Sequence, residues 1–309
     1  MSDIIQEGLD QSGGYLAPTE NMMRLLMKEP APTRVSGLVT TVPTSRDSLS
    51  VPRVVYATDD IYTTGIRATA VGEIPASASA HLATDPVFGQ FMIPVQTWML
   101  SSRVTNDMLE DSFFPLMPWL EERYDETIDL LKDNQIINGS GVNAQPRGIL
   151  INPGGTDEPA VISIGATSAI TPDGLKSLKF APPEQYMMNL RWLMNYNTTA
   201  QAIDKLKDSE NRYIWSQGLQ DNGIANPMST SLLGFPPTFS VFMPNPGSNT
   251  YPVIFGDFRA YWLVMRVGLS IQVLNEVYAE TNQKAILGRL RFGGRVTEAY
   301  RVKIGQTPA

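Results

Sequence analysis

Cysteine is absent from the 309-residue chain, and His81 is its only histidine. Without cysteine the protein has no disulfide, no thiolate nucleophile and no thiolate metal ligand. A single histidine argues against a zinc centre and against a histidine-based catalytic triad. These two shortages exclude thiolate chemistry and argue against enzyme sites built on histidine.

Charge is also scarce, since Asp, Glu, Lys and Arg make up only 18% of the residues. This share is low for a freely soluble monomer and favours a surface that is largely covered by neighbouring subunits. The net charge of −7 does not provide the basic density that a protein needs to coat DNA by counterion release. The charge balance therefore argues for contacts with protein rather than with nucleic acid.

Long apolar runs are missing as well. The longest, residues 91–100, is interrupted by Pro94, Gln96 and Thr97, so we expect no membrane span. The first residues, Met-Ser-Asp-Ile-Ile-Gln-Glu, lack the basic and apolar regions of a signal peptide. Synthesis and action in a cytoplasm are the default expectation.

The chain is organised around residues 101–150, where apolar residues recur at steps of three and four. The members of this stripe are Leu116, Leu120, Tyr124, Ile128 and Leu131. The pattern predicts a short helix over 105–112 that Thr105 or Ser112 caps, a bend at Pro115 and Pro118, and a main helix over 116–137. Gly139 and Gly141 are expected to end this helix, since glycine readily adopts the left-handed cap conformation.

Two patterns in this stretch have alternative interpretations. Asp125, Asp129 and Asp133 lie four apart, which suits a metal site, but we favour a solvated or inter-subunit polar face because no further ligand is identifiable. Ser140 lies between two glycines like a nucleophile, although the five-residue elbow pattern is missing. A helix stop is the favoured interpretation, and a hydrolase that uses Ser140 and His81 remains an alternative from a different class.

Residues 45–85 form the least compact part of the chain. Two β-rich segments, 49–57 and 68–74, flank a polar loop, and such a hairpin is marginally stable alone in water. A long two-stranded arm is useful when it lies on another molecule, and an ordinary surface hairpin is the alternative. His81, at the end of this arm, is interpreted as structural.

Further strands are predicted at 34–42, 87–95, 98–104, 191–195, 261–266, 269–274 and 285–292, and a helix that Thr198 or Thr199 caps should run to about 206. The last strand alternates Arg289 and Arg291 with apolar residues, which places both arginines on one face, and Arg295 follows. This basic face suits contact with an acidic helix of a neighbouring subunit or with DNA, and a solvated face is the alternative.

Three segments carry a family resemblance. Residues 102–112 precede the long helix, Asn-Gly-Ser-Gly and Gln-Pro-Arg-Gly-Ile-Leu follow it, and residues 192–213 and 253–258 supply two further matches. In their order and spacing, from about Gly13 to Ile304, these segments resemble the tailed-phage major capsid proteins of the HK97 type. The resemblance implies an α+β fold with an N-terminal arm, an extended β-hairpin loop, a long spine helix, and peripheral and axial domains.

The implied boundaries are 1–33 for the arm, 34–44 for a peripheral strand, 45–85 for the extended loop, 86–170 for the peripheral domain with the spine helix, 171–250 for the axial domain and 251–309 for the return to the peripheral domain. The implied function is a major capsid protein whose pentamers and hexamers close an icosahedral shell around packaged double-stranded DNA, without sequence-specific binding. The inter-subunit candidates are Tyr62, Gly65, Arg67, Arg289, Arg291 and Arg295. We expect no catalytic, cofactor-binding or metal-binding residue, and no membrane partner.

The resemblance also has departures. The family often begins with a scaffolding segment that is later removed, and residue 1 lies almost directly before the expected arm, so we expect a separate scaffolding protein or a longer precursor. A portal and a decoration protein are further expected partners, in a virion assembled in the host cytoplasm. No lysine occurs between Lys28 and Lys132, so the extended loop has no amine for a lysine–asparagine cross-link. An encapsulin-like compartment shell and a gene transfer agent capsid are the alternative functions.

Overall fold

The computed structural model describes residues 31–308 except 33, 56–86, 113–114, 156, 167–168, 204 and 208–230. The arm, the predicted strand 68–74, and the residues Tyr62, Gly65, Arg67 and His81 lie outside the described residues. No helix in the described part of the chain is long and apolar enough to cross a membrane.

The strands in chain order are β1 (Thr40–Pro43), β2 (Ser48–Val55), β3 (Val87–Pro94), β4 (Gln96–Thr105), β5 (Ala160–Ser163), β6 (Gly165–Ala166), β7 (Ala169–Ile170), β8 (Arg191–Met194), β9 (Pro237–Phe239), β10 (Thr250–Gly256), β11 (Tyr261–Tyr278), β12 (Gln283–Val296) and β13 (Val302–Thr307). The α-helices are α1 (Asn106–Asp111), α2 (Leu116–Asn138), α3 (Pro172–Lys179) and α4 (Tyr196–Thr198). A 3₁₀ helix, Glu184–Asn189, leads into β8, and a π turn, Thr199–Ile203, follows α4.

Helices α1 and α2 confirm the predicted pair within one or two residues. The Thr105 hydroxyl caps α1 by accepting a hydrogen bond from the Met108 N–H at 3.3 Å. The end of α2 confirms the prediction for Gly141, which is left-handed with φ 67°, but not for Gly139, which has φ −54°. Glycine is needed there for space, since a Cβ would lie 2.3 Å from the Pro146 carbonyl oxygen and 2.4 Å from that of Gln135.

A four-stranded sheet in the order β1-β11-β12-β4 packs on α2. The predicted strands 261–266 and 269–274 are one continuous strand, β11, because its pairing with β12 continues across register shifts after Met265 and Val267. The strand predicted over 34–42 is shorter than expected. Residues 35–39 form a turn, and only β1 joins the sheet, parallel to β11.

A five-stranded sheet in the order β5-β13-β10-β8-β9 forms the middle layer of the molecule. Alternation along the strands sends Leu193 and Ile254 into the core that includes α2, while Trp192 and Phe255 face the core that includes α3. Asn195 caps the helix that follows β8, because its side-chain oxygen accepts a hydrogen bond from the Asn197 N–H. The prediction that Thr198 or Thr199 caps this helix is therefore wrong. Both threonines are buried. Thr198 is the last residue of α4 and Thr199 the first of the π turn, so neither precedes the first turn of the helix, where a cap must lie.

Strands β2 and β3 form an antiparallel ribbon with Val51 opposite Phe91. Ile93, at the root of this ribbon, packs with Val264 of the four-stranded sheet, on the face opposite to α2. The partner of β2 among the described residues is therefore β3, whereas the sequence suggested a hairpin with residues 68–74. The segment between the two strands, 56–86, continues from the free end of the ribbon.

Candidate inter-subunit surfaces

The predicted arginine face of β12 is present. Leu290 and Phe292 are buried in the core, while Arg289 on the opposite face is exposed. Arg289 lies between Ser270 of β11 and the exposed Met99 of β4 in the sheet register. No acidic group among the described residues lies within salt-bridge distance of Arg289, so its charge is available to a second molecule.

Arg291 is engaged within the chain. Its Nη2 donates a hydrogen bond of 2.7 Å to Oδ1 of Asp47, and Arg266 pairs with the same oxygen. Asp47 immediately precedes β2, so this pairing fixes the point at which the ribbon leaves the sheet. The structure thus gives Arg291 a role in positioning the ribbon.

Arg295 belongs to a group of side chains at the base of the ribbon that we call the ribbon-base cluster. Its members are Arg53, Phe91, Arg147, Asp157, Glu158 and Arg295. Two guanidinium groups stack on the Phe91 ring, that of Arg53 at 4.0 Å from the ring centroid and that of Arg295 at 4.3 Å. Arg53 also donates two hydrogen bonds of 2.7 Å to the two carboxylate oxygens of Asp157. The cluster therefore connects β2, β3, β12 and the loop before β5.

The two adjacent carboxyl groups of the cluster have opposite pKa shifts. The hydrogen bond from Arg53 lowers the pKa of Asp157 below its usual value. Burial raises the pKa of Glu158, whose side chain is 1% exposed, although Arg147 at 2.6 Å and Arg295 at 3.8 Å oppose that shift. Burial likewise lowers the pKa of Arg295. The sequence alone did not reveal this cluster, because its partners are far apart along the chain.

The three aspartates of α2 do not form one polar face. Asp125 is exposed and Asp129 is paired with Lys132, but Asp133 is only 2% exposed. Its carboxylate accepts hydrogen bonds from the N–H groups of Arg34, Val35 and Ser36 at 2.9, 3.2 and 2.7 Å. The interpretation of all three as a solvated or inter-subunit face is therefore wrong for Asp133, which anchors the first described residues. No group of three or more acidic or histidine side chains that could hold a metal ion occurs within the described residues.

The outer part of the α2 surface is strongly acidic. Glu121, Glu122 and Asp125 are exposed there, and Arg123 pairs with Glu122 and Glu126. Such an acidic face is complementary in charge to the exposed Arg289 face of β12. The two surfaces belong to different sides of the subunit, since α2 packs against the sheet face that carries Leu290.

Two apolar surfaces are exposed as well. On the outer face of the ribbon, Phe88 is 74% exposed and Met92 is 59% exposed. Near α3, Phe180 is 77% exposed and Met188 is 99% exposed. Exposed apolar side chains of this size are candidate contact points for another protein surface.

Ser140 has a structural role in the turn after α2. Its Oγ lies 2.5 Å from the Gln145 side-chain oxygen, to which it donates, and accepts from the Val142 N–H at 3.3 Å. The hydroxyl is thus used to close the turn, and no histidine lies among the described residues to activate it. The turn interpretation of Gly-Ser-Gly is the one that the geometry favours.

Comparison with known proteins gives a consistent picture. The model of the phage capsid family matches residues 13–307. No curated protein matches the chain. Among solved structures, the capsid of an empty GTA particle is similar with 21% identity, a TM-score of 0.81, and coverage of 98% of this chain and 99% of that chain. A chain from Microbacterium phage Oxtober96 is similar with 14% identity, a TM-score of 0.71 and coverage of 99% of both chains. A chain from Gordonia phage Cozz is similar with 14% identity and a TM-score of 0.68, and the match covers 97% of this chain and 94% of that chain. The α+β, HK97-type fold expected from the sequence is confirmed.

Proposed function

The chain belongs to the phage capsid family and is a capsid protein that assembles with copies of itself, and we propose that its pentamers and hexamers close an icosahedral shell around packaged double-stranded DNA. The observation that carries this proposal is the extent of the family match, residues 13–307, which includes both sheets, α2 and the ribbon. The function therefore belongs to the whole fold and not to a local site. No enzymatic activity is proposed.

Each segment of the chain has a proposed place in the shell subunit. Residues 1–33 act as an arm, and residues 45–85 extend from the ribbon to a neighbouring subunit, where Tyr62, Gly65 and Arg67 are the proposed contacts. Residues 34–44, 86–170 and 251–309 form the peripheral domain, which holds α2 and the four-stranded sheet. Residues 171–250 form the axial domain around the local symmetry axis.

We further propose that Arg289 contacts the acidic face of α2 in a neighbouring subunit. Arg289 is exposed and has no ion-pair partner among the described residues, and Glu121, Glu122 and Asp125 are exposed on α2. Arg291 and Arg295 contribute indirectly, because their intrachain contacts set the ribbon that reaches the neighbour. Arg289→Glu alone and Glu122→Arg alone are each expected to slow shell assembly, and their combination to restore it. Equal assembly by all three variants would contradict the pairing.

The proposed partners and setting complete the assignment. The net charge of −7 repels DNA, which limits adhesion of the genome to the shell wall and agrees with enclosure without sequence-specific binding. A separate scaffolding protein, a portal and a decoration protein are the proposed partners, with assembly in the host cytoplasm and the virion shell as the final location.

Nuclease treatment of purified particles, followed by sequencing of the protected DNA, tests the proposal. Protected phage genome is the expected result. A gene transfer agent capsid is the second candidate, favoured by the TM-score of 0.81 to the capsid of a GTA particle, and predicts protected DNA from the host chromosome. Intact particles without any protected DNA would contradict enclosure of DNA and indicate an encapsulin-like compartment shell.

A further inference from the structure

The outer edge of β11 is unpaired over most of its length. Strand β1 pairs with β11 from Trp262 to Met265, and beyond Met265 the strand that pairs with β11 within the described part of the chain is β12, on its other side. The backbone N–H and C=O groups of residues 267–277 that point away from β12 therefore have no backbone partner among the described residues. A free strand edge of this length is a template for pairing with another strand.

The free edge lacks the usual protection against such pairing. Natural edge strands carry charged residues or proline, which discourage pairing with a second strand. Residues 267–275 read Val-Gly-Leu-Ser-Ile-Gln-Val-Leu-Asn and contain neither. The opposite edge of the same sheet, β4, contains the exposed Arg103. The sequence of the β11 edge therefore favours a partner strand over solvent.

Three aliphatic side chains line this edge on the face of the sheet that carries α2. They are Leu269, Ile271 and Val273. Ile271 lies opposite Gly288 in the register, and a Cβ added at Gly288 would lie 3.1 Å from a ring carbon of Tyr124 in α2, so this row faces the helix. Helix α2 leaves the row partly uncovered, because Leu269 and Ile271 are only half-buried and Val273 is 41% exposed.

The opposite face of the same edge is polar. Ser270 and Gln272 lie on the face of the sheet that carries the exposed arginine of β12. Arg266 and Glu276 flank the uncharged segment at its two ends. Glu276 is exposed, and no cation among the described residues pairs with it. A partner strand for this edge therefore combines an apolar face with a polar face and carries positive charge near one end.

The β11 edge has these properties itself, in one antiparallel register with a second copy. When Ile271 lies opposite Ile271 of the other copy, Leu269 lies opposite Val273, and Ser270 lies opposite Gln272. Directly opposite residues of an antiparallel pair have their side chains on the same face. The aliphatic side chains then pack across the junction on the α2 face, and the polar side chains can form hydrogen bonds on the other face.

The ends of the edge are complementary in charge in the same register. Arg266 of each copy lies opposite Glu276 of the other, and opposite charges directly across two strands stabilise their pairing. Arg266 already contacts Asp47 through Nη1, and its guanidinium group has further donors for a second carboxylate. We propose that the free edge of β11 binds the same edge of a second copy of this chain about a two-fold axis.

The pairing joins two four-stranded sheets into one sheet of eight strands across a subunit boundary. A contact of this symmetry satisfies the outward backbone groups of both copies at once. It rests on the self-assembly of the chain and adds a contact that neither the ribbon nor Arg289 provides. Because shell formation is scored separately, failure of this pairing leaves the proposed capsid function intact.

The absence of cysteine from the chain allows a disulfide to test the register. In the proposed register the Cα atoms of the two copies of residue 271 are about 4.5–5.5 Å apart, a distance that suits a disulfide. The two copies of residue 273 are displaced by four residues along the strands, about 14 Å, which is too far for one. Ile271→Cys should therefore give a disulfide-linked dimer with oxidised glutathione, whereas Val273→Cys, the matched control on the same face, should not.

Random collision would favour the opposite result, because Val273 is more exposed than Ile271. At least about tenfold more dimer is expected from Ile271→Cys than from Val273→Cys on a non-reducing gel. The dimer is scored in both the sedimenting particles and the soluble fraction of the full chain. Ser101→Cys, at an exposed position of β4, tests the other edge of the sheet.

Charge reversal at the end of the edge provides the second test. Glu276→Lys, added to Ile271→Cys, puts a lysine opposite Arg266 of the other copy and should lower the dimer yield at least about threefold, because like charges oppose pairing. Glu280→Lys makes the same change of charge at an exposed position in the turn after β11 and should leave the yield unchanged. Equal yields from the two variants would overturn the pairing of the charged ends.

Three outcomes of the disulfide experiment would overturn the proposal. Absence of a dimer from Ile271→Cys in both fractions would overturn the pairing, whether or not closed shells form. Dimers from Val273→Cys as abundant as those from Ile271→Cys would overturn the register. Dimers from Ser101→Cys in place of Ile271→Cys would place the contact at β4 and overturn the assignment to β11.

Discussion

The anchor formed by Asp133 gives the most direct prediction about stability. Its carboxylate accepts three backbone hydrogen bonds from residues 34–36, which lie almost a hundred positions earlier in the sequence. A hydrogen bond to a charged group contributes about 1.5–3 kcal/mol net. In Asp133→Asn the amide oxygen keeps the two bonds made by Oδ2, while the amide N–H₂ turns toward the Ser36 N–H. One hydrogen bond is lost and one N–H donor is left facing another. We therefore expect the free energy that holds residues 34–36 against α2 to fall by about 2–4 kcal/mol.

Amide hydrogen exchange of the peptide that contains residues 34–36 measures this loss. A change of 2–4 kcal/mol corresponds to exchange that is faster by about 30- to 700-fold, since 1.4 kcal/mol is a factor of ten. Asp129→Asn is the matched control, because Asp129 lies one turn earlier on α2, its side chain is 50% exposed, and its ion-pair partner among the described residues is Lys132. Loss of such a surface pair changes stability by about 0.5 kcal/mol or less. Equal exchange rates in the two variants would refute the anchoring role of Asp133.

Three further predictions concern the extended loop, the ribbon-base cluster and the end of α2. Because residues 45–85, the proposed extended loop, contain no lysine, mature shells boiled in detergent should give a single monomer band on a gel, and a ladder of multimers would contradict this. Asp157 and Glu158 should have opposite effects on how thermal stability depends on pH. The pKa of Asp157 is lowered in the folded protein, so the stability that it contributes is lost as the pH falls through this folded pKa. The pKa of Glu158 is raised in the folded protein, so the stability that it contributes is lost as the pH rises through that folded pKa. Asp157→Asn should thus destabilise mainly at neutral pH. Glu158→Gln should gain stability relative to the parent chain as the pH rises above the usual pKa of a glutamate. Thermal scans with the same sign for both variants would be inconsistent with the cluster. Gly139→Ala should lower the free energy of unfolding by about 2 kcal/mol or more, because its Cβ would overlap backbone oxygens. Gly268→Ala is the control and should be close to neutral, because no atom lies within 4 Å of the Cβ that it adds. Equal denaturation midpoints for the two variants would argue against steric overlap at Gly139.

The elements that could be predicted are those whose signals are local. The spacing of apolar residues from Leu116 to Leu131 specified α2, and Thr105, one of the two candidate caps with Ser112, caps α1. The alternation of Arg289 with Leu290 placed the arginine on the exposed face of β12. Periods of 3.6 and 2 residues are visible in a window of about ten residues, so these features required no knowledge of the rest of the chain.

The elements that could not be predicted depend on contacts between distant segments. Asp133 looks like part of an acidic helix face, and only the turn at residues 34–36 shows that it is buried. Gly139 looks like a left-handed cap, and only the returning chain at Pro146 shows that it is there for space. The pairing of Arg53 with Asp157 across more than a hundred positions has no sequence pattern at all. The continuous course of β11 was hidden because its bulges interrupt the alternation while the pairing with β12 continues.

The assembly of many copies of this chain into a closed shell can be observed by electron microscopy. The samples are the chain expressed alone and the chain expressed together with the proposed scaffolding protein, and both are also sedimented. We expect uniform polyhedral particles, or rings of five and six subunits, whose image averages fit the fold described above. A protein that stays a monomer in both samples would contradict it.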